Sequence, residues 1–397
     1  MLSKPAFGIY IHIPYCIQRC LYCDFATYEK SQIFPPEEYI QLLIEEMRQK
    51  AKYYEPQEVD TIYFGGGTPS LIEPELLAKA INELENLGFK PKASAELTIE
   101  INPATVTAEK MKSYREMGIN RYSVGAQTFK DTLLKKLGRE HNAQQTRETL
   151  NLLRSHSQNF NFDILFALPH QSLDDLRDDL QQALQQGAQH ISPYCLTIPK
   201  GHILQPGRAP DEEQVEMFAA IKSELVKKGY QQYEISNFAL PGFESRHNLL
   251  YWTDKEYWGL GLSAHSYSKS SPWGTRYWNP SAIGEYKKQI LEHNGKVYLS
   301  PDAHLPESQF ELLEKYQSLT DFCHTSLRLM AGLSLSDVQE KYGASAKEKV
   351  EIRLASLMQR KLVETADNQQ WKLTNNGLLL SNLVFEKMTF LRADLPA

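Results

Sequence analysis

Three cysteines, Cys16, Cys20 and Cys23, fall within eight positions directly after an alternating apolar run, in "GIYIHIPYCIQRCLYCDF". Thiolates are soft donors, suited to zinc or to iron–sulfur clusters. A structural zinc usually takes four protein ligands, and the nearest candidate for a fourth here is His12, inside the apolar run. A cubane [4Fe–4S] cluster normally takes four cysteines, so three would leave one iron open to a small molecule. The chain has five cysteines, an odd number with three clustered, which does not read as a disulfide framework. Cys195 and Cys323 read instead as buried small residues.

Other chemistry-bearing residues arrive one per strand end. "YFGGGTPS" (63–70) carries Gly66, Gly67 and Thr68, where the missing Cβ atoms let backbone approach a ligand closely. Glu100, in "TIEINP", can accept hydrogen bonds from a ribose or an amine. Gln127 stands in "VGAQTF", and Asp163 in "NFDILFALP". Arg139, in "LGREH", can pair with a carboxylate. Singly, each of these is an ordinary polar residue; in chain order at successive strand ends they read as one site.

The elements that must position them follow a repeat. Apolar or alternating runs predict strands at 7–13, 59–64, 95–101, 121–129, 160–168 and 190–198. Helical patterns lie between them at 36–52, 73–87, 107–117, 143–156 and 173–187, with another at 212–229. Strand then helix, six times, argues an α/β fold with a parallel sheet, curled into a partial (βα)6 barrel whose chemistry sits at the C-terminal strand ends, with an open doubly wound sheet as the alternative. Residues 1–230 are assigned to this barrel. Residues 231–300 form an aromatic-rich extension, with four of the five tryptophans between 230 and 278. Residues 301–397 form a C-terminal winged-helix-like α+β domain: helices near 307–331, 334–342 and 345–361, a hairpin over 362–374 turning at "ADNQ", and a last helix from 375.

With a net charge of −6, the 397-residue chain has no polyanion-binding signature, and the helix at 345–361 mixes Lys and Arg with Glu, so nucleic acid is not expected as a partner. No signal peptide and no apolar run long enough to span a membrane is evident, which predicts a cytoplasmic protein.

The pattern C-x3-C-x2-C after the first strand of a βα barrel resembles the radical S-adenosylmethionine (SAM) superfamily. With "FGGGTPS", "TIEINP", "RYSVGAQTF…LGREH" and "FDILFALPHQS" it resembles the oxygen-independent coproporphyrinogen III oxidase family over nearly the whole chain. The resemblance implies a [4Fe–4S] cluster on Cys16, Cys20 and Cys23, with SAM on the open iron. It implies SAM contacts from Tyr10, Gly66, Gly67, Thr68, Glu100, Gln127, Arg139 and Asp163, with Tyr22 packing near the adenine.

Two branches separate within that family. The oxidases carry a further cysteine two residues after the third, where this chain has Phe25, and an N-terminal extension for which the first strand leaves no room. "YEISNFALPGFESRHNLLYW" and "YWGLGLSAHS" resemble the HemW heme-chaperone branch. That resemblance implies heme binding and transfer to an acceptor protein, a respiratory enzyme being one class of acceptor, without coproporphyrinogen oxidase activity; the oxidase is the alternative. A planar porphyrin favours aromatic walls and an axial imidazole or thiolate. His247 and His265, in the aromatic stretch, are the ligand candidates, each weighed against a structural role. A homodimer is also expected. Ala167 stands where the family usually has Gly, and its methyl is expected to narrow the site slightly.

Overall fold

The computed structural model describes residues 6–156, 159–292, 309–365, 367 and 369–395. The six expected strands are present as β1 (Phe7–Ile13), β2 (Val59–Gly66), β3 (Pro91–Ile101), β4 (Arg121–Gln127), β5 (Phe160–Phe166) and β6 (His190–Cys195). They pair parallel, each with the next. The helices between them cover the sheet because each offers one apolar face. In α1 (Pro36–Ala51), Tyr39, Ile40, Leu43 and Met47 are buried, while Glu37 and Glu38 open the helix and Arg48 and Lys50 close it, matching its dipole. A capping box fixes the start of the helix Leu173–Gln185: Ser172 accepts from the Asp175 N–H and Asp175 from the Ser172 N–H.

The sheet does not stop at six. The aromatic-rich segment adds β7 (Gln231–Glu234), β8 (Asn237–Ala239), β9 (Glu256–Leu260), β10 (His265–Ser268) and β11 (Thr275–Trp278), and Phe310–Leu312 adds β12. The order is β12-β11-β10-β9-β1-β2-β3-β4-β5-β6-β8-β7. β9 lies parallel to β1, from Phe7 opposite Glu256 to Ile11 opposite Leu260, and so makes a seventh parallel strand. β10 to β12 extend that edge antiparallel, and β8 and β7 extend the other. β1 thus lies inside the sheet, which is why its side chains are buried on both faces.

A buried carboxylate ties the late segment to α1. Glu46 accepts from Lys50 Nζ and Asn279 Nδ2 at 2.6 Å each and from the Gly261 N–H and the Tyr286 hydroxyl at 2.8 Å each. With every lone pair engaged, the charge is tolerable in the interior.

The C-terminal part packs Leu319, Leu327, Val338, Leu354 and Trp371 into a second core. Its helices are Lys315–Arg328, Leu335–Tyr342 and Ala344–Gln359, and Leu333–Ser334, Gln370–Leu373 and Val363–Thr365 form a small antiparallel sheet in that order. The helix expected over 307–331 is shorter, because Phe310–Leu312 joins β11 instead. The boundary at 300–301 lies outside the described residues, as do 366 and 368 of the expected turn.

Candidate functional site

A cavity of about 430 Å³ opens at the C-terminal ends of the parallel strands. Cys16, Cys20 and Cys23 all border it. The loop that carries them is mostly irregular and is held at its ends. Tyr15–Cys16 pairs with Tyr28–Glu29 in a two-residue ladder, the Leu21 N–H donates to the Leu137 carbonyl at 3.0 Å, and the Cys23 N–H to the Cys20 carbonyl at 3.2 Å. All three thiols are free and half-buried. Each has a polar neighbour: Arg139 Nη1 reaches Cys20 Sγ at 3.4 Å, the Thr68 hydroxyl reaches Cys16 Sγ at 3.8 Å, and the Thr27 hydroxyl lies 4.0 Å from Cys23 Sγ. Donors aimed at sulfur favour the anionic, metal-bound form. Without a metal, burial pushes the Cys16 thiol up to about 11, so ligation has to draw off its proton. Among the described residues no three His, Cys, Asp or Glu side chains converge on a single-ion position.

The glycine turn after β2 forms the adjoining wall. The Gly67 N–H bonds the Ile13 carbonyl at 2.8 Å, and the Thr68 N–H bonds the Tyr15 carbonyl at 2.7 Å, so this turn is stitched to the chain entering the cysteine loop. A Cβ on Gly67 would lie 2.7 Å from the Tyr15 oxygen, and Gly66, at φ 108°, sits against the His12 ring. Glu100 accepts from the Tyr63 hydroxyl at 2.8 Å and from the Gly66 N–H at 3.0 Å. Burial, aided by the Asp163 charge, still pushes its carboxyl up to about 7. Asp163 accepts from Asn161 at 2.7 Å and from Ser123 at 3.2 Å, and burial raises it too.

Of the residues singled out from sequence, the cavity brings together the three cysteines with Tyr22, Gly66, Gly67, Thr68, Glu100, Gln127, Arg139 and Asp163. Gln127 ends its strand at φ 67°, a left-handed conformation that costs energy in a non-glycine residue and is held here at the cavity edge. Three residues are not on the wall. Tyr10 lies behind it, stacked on Tyr63 at 6.1 Å with its hydroxyl 3.0 Å from His12 Nδ1. His247 is buried, with Nδ1 2.7 Å from the Thr61 hydroxyl and Nε2 2.8 Å from that of Tyr251. In this arrangement no imidazole nitrogen is left for an axial bond; burial and the charge of Arg121 push the ring down to about 3, holding it neutral. His265 is exposed on β10, stacked on Trp278 at 5.6 Å. Ala167 does not border the cavity either. It sits at φ 58°, so the position favours glycine for its backbone, and the methyl strains the chain rather than narrowing the site. Sequence reasoning passed over Tyr63, Arg121 and Asn248, which do border the cavity, and took Phe25, which also borders it and is 64% exposed, only as the place of a missing cysteine.

Residues 10–183 match the sequence profile of the Radical SAM superfamily. The whole fold is similar to a solved structure of the radical SAM enzyme coproporphyrinogen III oxidase (HemN) from Escherichia coli, with a TM-score of 0.82 at 20% identity, covering 97% of this chain and 90% of that one. The fold and the cysteine-bearing domain thus define a radical SAM protein. Closer relatives narrow the class. The chain is 35% identical over 385 residues to the heme chaperone HemW of Bacillus subtilis, covering 95% of this chain and 97% of that one. It is 33% identical to the HemW of Haemophilus influenzae, covering 97% and 98%, and 32% identical to that of Lactococcus lactis, covering 98% of each. The chain belongs to the HemW heme chaperone family.

Proposed function

We propose that this protein binds heme and hands it to an acceptor protein, with a [4Fe–4S] cluster and SAM as resident cofactors. The observation that carries the reading is the near full-length similarity to heme chaperones. The cavity supports the cofactor part. Cys16, Cys20 and Cys23 would hold the cluster, with Arg139 and Thr68 donating to two of the sulfurs. The glycine turn, Glu100, Asp163, Gln127 and Tyr22 would hold SAM, the carboxylates facing its amine or ribose and Tyr22 its base. When bound, the cluster supplies electrons and the open iron a coordination site. Phe25, in place of a further cysteine, leaves an exposed aromatic at the mouth where a flat apolar ring system can rest.

Among the described residues no helix is long and apolar enough to cross a membrane. A cytoplasmic location, a homodimer and a respiratory enzyme as acceptor complete the reading. The test is anaerobic reconstitution, counting iron and sulfide, followed by heme titration. A saturating Soret change near one heme per chain is expected, with no product from coproporphyrinogen, SAM and a reductant. Conversion to protoporphyrinogen would make the protein an oxidase, and absence of a Soret change would remove the chaperone reading.

A further inference from the structure

The charged side chains on the cavity wall differ in how far they are hydrogen-bonded among the described residues. Arg139 is used by the Cys20 sulfur and the Gly125 carbonyl, Glu100 by Tyr63 and the Gly66 N–H, and Asp163 by Asn161 and Ser123. Arg121 borders the same cavity and is 2% exposed. Its Nε is buried without a hydrogen-bond partner, and its charge faces Glu100 and Asp163 and favours the ionised form of both carboxyls. Arg121 is the first residue of β4, so it enters the cavity from the end of the strands opposite the cysteines.

The groups around it are satisfied among themselves. Asn161 donates to Ser123 at 2.8 Å and its Oδ1 meets His190 Nδ1 at 2.6 Å and the Ser192 hydroxyl at 3.0 Å; His190 Nε2 meets the Tyr233 hydroxyl at 2.7 Å. His247 is saturated in the same way, and burial with the Arg121 charge keeps both imidazoles neutral. Glu100 and Asp163 offset part of the charge of this buried guanidinium, but a buried donor left unfilled is costly unless a ligand completes it, and the planar fork suits a carboxylate.

We infer that Arg121 is a carboxylate-binding subsite and that it takes a propionate of the heme. The inference rests on the heme-delivery reading and extends it by placing one edge of the ligand. The methionyl carboxylate of SAM is the other source of the same chemistry, and the experiment separates the two. Cluster-loaded wild type, Arg121→Gln and Arg121→Lys are titrated anaerobically with heme, with heme dimethyl ester, which has no free carboxylate, and with SAM. Iron, sulfide and circular dichroism check cluster and fold.

Wild type is expected to prefer heme over the ester by about tenfold or more, as for a charge-assisted bidentate pair. Arg121→Gln should lose that preference by weakening heme and not the ester, and Arg121→Lys should keep part of it. Equal binding of heme and ester by wild type overturns the inference, a comparison that needs no variant to fold. So does a preference that survives in Arg121→Gln. If Arg121→Gln weakens SAM instead, the subsite belongs to the methionyl carboxylate and the propionate assignment is overturned. Wild type that takes up ester and heme alike still leaves heme delivery standing, whereas wild type that takes up neither removes both.

Discussion

The cysteine loop and the pocket around His247 hold residue types that bind metals, but the two regions treat them in opposite ways. In the loop the sulfurs are half-buried and have long contacts with Arg139, Thr68 and Thr27, and the neighbouring Ile17, Leu21 and Phe25 are exposed. His247 itself has close protein partners on both ring nitrogens and on its backbone N–H. Thr61 and Tyr251 take the ring nitrogens, Glu96 accepts from the Arg246 and His247 N–H groups at 2.9 and 3.0 Å, and the ring stacks on Tyr63 at 5.1 Å. A group with unfilled bonding capacity is prepared for something from outside; a group already saturated is part of the scaffold.

The sharpest way to break this contrast is Cys20→Ala. Two thiolates should not retain the cubane, so iron and sulfide should fall to background while the second, C-terminal core stays folded. A full iron count in the variant would mean that the loop is not the metal site. His247→Ala should act oppositely: cluster content unchanged, stability lower by about 2–4 kcal/mol from two lost buried hydrogen bonds and a cavity, and an unchanged Soret maximum in the heme complex. A thermal melt and a heme spectrum check it; a Soret shift with little stability loss would show that the ring leaves its pocket to bind iron.

The smallest expected effect is a pH dependence at Glu100. Its folded value, about 7, lies above the ordinary 4.5, so the folded state holds this proton more tightly than the unfolded chain. The stability that this contributes is complete below about 4.5 and is lost as pH rises through 7. Binding of a cationic amine needs the carboxylate, so SAM affinity should rise between about pH 6 and 8 by up to about tenfold. Calorimetric titration reads it, and Glu100→Gln should flatten the profile.

Much of this was legible before the structure. β1 and β5 are apolar or alternating runs, and the cysteine spacing sits directly after one of them, so local pattern sufficed. β9 was not legible. "EYWGL" is short and glycine-containing, and its partnership with β1 depends on a strand distant in sequence, for which no local periodicity exists. Arg121 was passed over for a related reason. At the head of a strand, an arginine reads as a solvated end, and only the packing of β3 and β5 beside it shows that it faces inward. The choice of His247 followed from its residue type and its place in the aromatic stretch; its saturation by Thr61 and Tyr251 is a tertiary fact.

The pairing of β1 with β9 also bears on how the molecule is made. The strand that leads into the cysteines stays an open edge until a segment some 250 positions downstream emerges and docks. That raises the contact order and slows folding. A nascent chain holding only the first six strands would expose one flank of β1, a surface prone to mispairing. The strand that leads into the cysteine loop therefore gains its second neighbour only after about two thirds of the chain has been made.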